Sequence, residues 1–129
     1  MPDHPNSEFA TALWDAVAQG DSGAVRGLLA DEVVWHAGGR HALSGEFKGP
    51  DAVLDYLARV GERADELSTE LTDIFVNDRG AVVIYRLSAR RELKRMETEL
   101  FLELEIREGK LVRARSVSVD QVASNEFWS

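Results

Sequence analysis

The second half of the chain is the strongest constraint on its fold. Four β-prone segments, residues 67–76, 81–89, 96–106 and 111–119, follow one another with only short polar connections: NDRG at 77–80, a charged bend at 91–95, and REGK at 107–110. The spacing predicts a meander of four long strands. In TELFLELEI, Leu100, Leu102, Leu104 and Ile106 alternate with Phe101, Glu103 and Glu105. One face of that strand is therefore apolar and the other mostly acidic.

The first half reads as helical. Asn6 or Ser7 is expected to cap a helix whose apolar positions Phe9, Leu13, Ala16 and Val17 follow a 3.6-residue period up to Gly20, with Trp14 beside the stripe. Asp21 is placed to cap a second short helix carrying Ala24, Val25, Leu28 and Leu29. Val33, Val34 and Trp35 form a short β-prone run, and a glycine-punctuated connection leads to Gly49 and Pro50. Proline suits the first turn of a third helix with Val53, Leu54, Leu57 and Val60. Three helices against an antiparallel sheet give an α+β fold in one domain over residues 1–129, with the first five and last few residues expected to be loosely held.

Composition narrows the function. With 129 residues, 44% hydrophobic and 29% charged, the chain suits one domain with one core. A formal charge of −8 gives no general attraction for nucleic acid or anionic lipid, and neither is expected as a partner. No apolar run reaches the roughly 20 residues of a membrane-spanning helix, and MPDHPNSEF lacks the basic and apolar regions of a signal peptide. The absence of cysteine removes disulfides and thiol chemistry and fits a cytoplasmic protein. GGRHALSGEFKG lacks the spacings of phosphate-binding loops, and HxxxxH, His36 to His41, has no carboxylate companion. No cofactor or metal is expected.

The order of these elements, together with AQGD at 18–21, LLADEVVWH at 28–36, LSGEFKGPDAVLDYL at 43–57, REGKLVRARSVSVD at 107–120 and DQVASNEFW at 120–128, resembles the NTF2-like superfamily. Within it, the chain is similar to the SnoaL-like group related to polyketide cyclases and ketosteroid isomerases. The resemblance implies a cone: a strongly curved sheet wrapped around helices, an apolar cavity between them, and a homodimer joined through the sheet. It implies a fold more than a reaction, because unrelated functions share this architecture.

Against the ketosteroid isomerase pattern, the proton-shuttling aspartate position corresponds to His36, the first-helix tyrosine to Trp14, and the second acid donor to Leu102. Two donors are thus replaced, which argues against ordinary steroid isomerisation. His36 is the leading catalytic candidate, since an imidazole at a pocket mouth can remove an acidic proton near neutral pH; the alternative is a structural histidine bonded to backbone. His41 is expected to face solvent. Asp120 has two readings, an acid/base carboxylate as in the resembling cyclases or the cap of a terminal helical turn, and capping is favoured. Arg86, Arg113 and Arg115 are candidates to orient an anionic group, and strand parity alone leaves their direction open.

Trp14, Trp35, Phe47, Tyr56, Tyr85, Phe101 and Trp128 come from almost every element and are expected to wall one cavity for a small apolar molecule. Three functions follow: a cofactor-independent isomerase or cyclase, a non-catalytic binder of a small apolar ligand, and a dimerisation module.

Overall fold

The computed structural model describes residues 4–129; the expectation of a loose start falls, for Met1 to Asp3, outside them. The neighbouring residues are held. Helix α1 (Pro5–Ala18) has proline in its first turn, and the His4 ring accepts a hydrogen bond from the Asn6 amide at 3.1 Å. Asn6 and Ser7 consequently lie inside the helix rather than capping it, because a proline with fixed φ and no N–H suits the first helical position.

Helix α1 buries Ala10, Leu13 and Ala16, and the chain turns at Gly20, φ 69°. Asp21 caps α2 (Ser22–Leu28) as expected, its Oδ1 accepting from the Ala24 amide at 3.1 Å. Strand β1 (Leu29–Ala37) is longer than its β-prone core, and β2 (Gly45–Lys48) pairs antiparallel with it inside the stretch expected to be a connection. Four residues between glycines carry little periodicity, so β2 is a strand only because β1 supplies its hydrogen bonds. Helix α3 (Pro50–Arg63) follows, with proline in its first turn.

The long meander is present: β3 (Glu66–Asn77), β4 (Gly80–Arg91), β5 (Lys94–Arg107) and β6 (Lys110–Ser118). Helix α4 (Gln121–Trp128) closes the chain with Phe127 and Trp128 buried, so the end is packed rather than loose. The fold is α+β; the described residues form four helices and a curved, unclosed six-stranded sheet in the order β2-β1-β6-β5-β4-β3. The sheet is not wholly antiparallel, since β1 lies parallel to β6. The largest fully buried side chains, Leu13, Val33, Val53, Val83 and Leu111, come from α1, β1, α3, β4 and β6, so the core lies between the helices and one face of the sheet.

Two turns set the strand register. Glu108 and Gly109 both have positive φ, 52° and 73°, as a two-residue hairpin loop of the mirror-image kind requires. At the β3–β4 turn, Asn77 Oδ1 accepts from the amides of Arg79 and Gly80 at 2.9 and 3.0 Å. Gly80 then lies so close to β5 that a Cβ would stand 1.8 Å from the Leu104 carbonyl oxygen. Gly80→Ala is expected to cost about 1–3 kcal/mol by forcing the β4 and β5 backbones apart. Urea unfolding checks this, and a midpoint equal to that of the parent refutes the close-approach argument.

Candidate functional site

A cavity of about 500 Å³ lies between the inner sheet face, α1 and α3. Its walls include Leu13, Trp14 and Val17 from α1, Leu54, Leu57 and Val60 from α3, and Trp35, Val83, Tyr85, Leu87 and Leu102 from the sheet. The 3.6-residue stripe of each helix and the two-residue alternation of each strand aim these residues at one another. Among the described residues, no charged side chain lines the cavity. Gln19 and Gly20 in the α1–α2 turn, Ser22 at the start of α2, Gly61 on α3, and Leu67 and Thr69 on β3 are lining residues that are also exposed, and they mark its opening.

The aromatic residues are ordered around this space. Trp14 and Tyr85 meet with ring centroids 4.8 Å apart, and Trp35 lies 6.2 Å from Tyr56. Trp35 is only 3% exposed, and its Nε1–H has no hydrogen-bond partner among the described residues. Leaving such a donor buried without an acceptor costs about 1–3 kcal/mol. Burial pushes the Tyr56 hydroxyl up to about 12, against smaller opposing effects of the Ser116 hydroxyl and the Arg59 charge. Burial raises Tyr85 as well, with Tyr56 adding to the effect. Both phenols are therefore neutral donors across the ordinary pH range.

A smaller annex of about 70 Å³ shares Tyr56, Val60, Tyr85, Leu87 and Ser116 with the main cavity, and adds His41, Ser118, Gln121, Ser124 and Trp128. The Leu43 amide donates to His41 Nδ1 at 3.1 Å. Burial, and then the charge of Arg63, lower the His41 pKa from its usual 6.5, with the Gly38 carbonyl opposing them. Buried hydroxyls continue behind the annex: Ser124 Oγ lies 2.8 Å from Ser118 Oγ, which lies 3.4 Å from Thr98 Oγ1.

Helix α4 and the segment 38–44 close this end together. Asn125 Oδ1 accepts from the Arg40 amide at 2.8 Å and from Gln121 Nε2 at 3.1 Å. Gly39, at φ 94°, is packed so tightly that a Cβ would meet Gln121 Nε2 at 2.2 Å. The last carbonyls of α4, which no helical amide can reach, accept from side-chain cations: Trp128 from Arg63 at 3.0 Å, Phe127 from Arg91 at 3.2 Å and Glu126 from Lys94 at 2.9 Å. Much of the basic cluster at 90–95 is thereby used inside the fold.

The expected site residues divide. Trp14, Trp35, Tyr56 and Tyr85 line the cavity, Trp128 lines the annex, and Leu102 lines the cavity as an apolar wall. Phe47 stands behind Tyr56, stacked on its ring at 4.5 Å, with Arg59 5.4 Å above Phe47. Phe101 is on the opposite sheet face, because it alternates with the inward Leu100 and Leu102. His36 is not a cavity residue either. Trp35 and Ala37 take the buried positions of β1, so His36 emerges on the outer face with Glu46 Oε1 3.7 Å from its Nδ1. Asp120 caps α4, accepting from the Ala123 amide at 3.1 Å, and does not line the cavity.

The strand arginines do not reach the cavity. Arg86 pairs with Glu97 at 2.5 Å, and Arg113 and Arg115 are exposed opposite Glu105 and Glu103. His41, expected to face solvent, is the histidine that lines the interior space. A ring accepting from the amide two residues ahead folds back over its own turn, a local signal that HxL spacing by itself does not reveal. Among the described residues, no group of three or more metal-ligating side chains could hold an ion, and no helix is long and apolar enough to cross a membrane.

A family model for the SnoaL-like domain matches residues 10–114. An uncharacterized protein of Mycobacterium tuberculosis (strain H37Rv), Rv0034, is 28% identical over 131 residues, covering 100% of both chains. Among solved structures, Bal32a, from a soil-derived mobile gene cassette, superposes with a TM-score of 0.91 at 26% identity over 97% of each chain. TerC, co-crystallized with polyporic acid, superposes with a TM-score of 0.84 at 18% identity over 96% of this chain and 98% of its own, a likeness of fold.

The raised tyrosines have a direct consequence for alkaline stability. The unfolded phenols ionise near 10 while the folded ones hold their protons, so stability is full below that pH and is lost as pH rises from about 10 through about 12. Absorbance of the folded protein near 295 nm is expected to show no phenolate step around pH 10, with signal appearing only on unfolding. A reversible step of two phenolates near pH 10 refutes the buried placement of Tyr56 and Tyr85.

Proposed function

We propose, on the premise that this chain belongs to the SnoaL-like domain family, that it binds a flat, uncharged apolar small molecule in the cavity between α1, α3 and the sheet. Members of this family are often polyketide cyclases or isomerases. The observation that carries the reading is a roughly 500 Å³ space with aromatic and aliphatic walls and, among the described residues, no charged side chain. That volume is in the usual range for small-molecule sites, and its few polar groups are of the orienting kind. TerC, which shares the fold, was crystallized with polyporic acid, a precedent for a ligand in this architecture.

The same walls weigh against the acid/base assignment made to His36 and Asp120. Neither side chain borders the space where a substrate would lie. A second reading, isomerase or cyclase chemistry on the bound molecule, is favoured by His41, the one imidazole at the interior space. The two readings part on a single point, whether product accumulates on prolonged incubation.

We further propose that a second copy of the chain covers the outer sheet face. Phe75, Phe101 and Val117 are 58%, 37% and 43% exposed there, and Phe101 sits directly between Ile84 and Val117 across neighbouring strands. Apolar side chains adjacent on an open sheet favour association.

Two measurements test these proposals. Naphthalene is expected to quench tryptophan fluorescence saturably, through Trp14 and Trp35, and a purely linear, unsaturable response rejects the cavity as a ligand site. Sedimentation velocity at micromolar concentration is expected to give a dimer that Phe101→Glu converts to a monomer, whereas a monomeric parent protein rejects the pairing.

A further inference from the structure

The outer face of the sheet divides by charge along a seam. Between residues 97 and 105 of β5, every ionisable side chain that points outward is acidic: Glu97, Glu99, Glu103 and Glu105. On the neighbouring β6 the outward Arg113 and Arg115 are basic. The register sets Phe101 opposite Val117, Glu103 opposite Arg115 and Glu105 opposite Arg113. Despite that adjacency, among the described residues neither arginine nor Glu103 enters an ion pair, and Glu105 reaches only Arg107, at 3.5 Å. The guanidinium groups are thus available to carboxylates from outside the chain.

Two copies packed face to face are related by a twofold axis lying in the plane between them. In aligned sheet packing, with strands within about 30° of one another, that axis runs either across the strands or along them. Across them, β5 lies on the β5 of the other copy and glutamates oppose glutamates, a like-charge juxtaposition that selects against the arrangement. An axis along β5 itself does the same, and one along β6 stacks arginine on arginine. An axis between β4 and β5 sets Val82 on Glu103 and Arg90 on Arg95. The seam between β5 and β6 differs. There the axis exchanges the two strands without reversing them, so each residue meets the copy of its own cross-strand neighbour.

We propose that the second copy packs with its twofold axis along the β5–β6 seam, so that Glu103 pairs with Arg115 of the partner subunit and Glu105 with Arg113 of the partner subunit. Resting on the sheet-face pairing above, this adds its symmetry and the charges that select it. Facing sheets stand about 10 Å apart, a gap that a glutamate and an arginine reaching from opposite sides can span. Phe101 meets Val117 of the partner subunit, and symmetry repeats the contact to make an apolar centre. The two acid–base pairs, doubled by the same symmetry, flank that centre and fix the register. Farther out, the twist of each sheet carries the strands apart, so the pairs beside the axis dominate.

Charge exchange tests the seam. In Glu103→Arg the proposed axis brings cations together, and in Arg115→Glu it brings carboxylates together. Both positions are exposed, so neither change disturbs the core. Sedimentation velocity is expected to show each variant's dimer weakened at least about tenfold relative to the parent. Mixed in equal amounts, E103R and R115E are expected to form a heterodimer within a few-fold of the parent's affinity, seen by native mass spectrometry at a mass between those of the two homodimers. Inside each variant the neighbouring β5 and β6 side chains remain alike in charge, so only pairing between chains can rescue association.

Single variants that dimerise like the parent, or a mixture without heterodimer, overturn the seam and leave the sheet-face pairing standing. A parent chain that is monomeric at micromolar concentration removes both.

Discussion

The pleat of the β4–β5 hairpin governs the rest of the molecule. Its pairing runs unbroken from Gly80 opposite Glu105 to Arg91 opposite Lys94. This register sends Val83, Tyr85 and Leu87, with Leu102, Leu100 and Thr98 across from them, toward the helices. The same alternation sends Ile84, Arg86, Phe101 and Glu103 outward. A slip by one residue would exchange the two sets, placing glutamates in the core and leucines in water. The close approach of Gly80 to the Leu104 carbonyl holds the hairpin at that register. On this frame β6 adds Ala114, Ser116 and Ser118, and β1, lying parallel to it, adds Trp35 and Ala37.

The interior is graded from apolar to polar by position along this sheet. Where α1 and α3 cover it, leucines, valines and tryptophans make a neutral chamber. Where α4 and the segment 38–44 cover it, serines, a glutamine and His41 appear, tied to one another and to backbone. Three cations on the C-terminal carbonyls of α4 and the Asn125 amide on Arg40 keep that cover closed. Two phenols kept protonated by burial, and an indole N–H with no hydrogen-bond partner among the described residues, stand among its apolar walls.

Much of this organisation was legible in the residues. The alternation of TELFLELEI, the polar turns at 77–80 and 107–110, Asp21 as a cap and Pro50 at a helix start all follow from local physics that tertiary contacts did not override. The family resemblance extended that to the whole fold. Placement beside the cavity was legible only where a side chain's element was already clear, as for Trp14 on α1 and Tyr56 on α3. His36 and Phe101 failed for a shared reason: strand residues one position apart face opposite sides, and aromatic or catalytic character does not say which. His41 failed differently, because a half-buried loop histidine is made by the elements that fold over it, here α4.

The sequence by itself therefore determined the inventory: an α+β fold, a four-strand meander with one apolar face, helices to cover that face, and enough aromatic side chains to wall a cavity. Hydrophobic periodicity and turn chemistry are local, and a single chain displays them without reference to its fold. Only the tertiary structure decided which histidine lines the annex, that β2 is a strand, that β1 and β6 run parallel, and that apolar and aromatic side chains wall the cavity. Each depends on which distant segment lies alongside, which no local pattern encodes. Trp35 beside Tyr56, and His41 beneath α4, are consequences of that assembly.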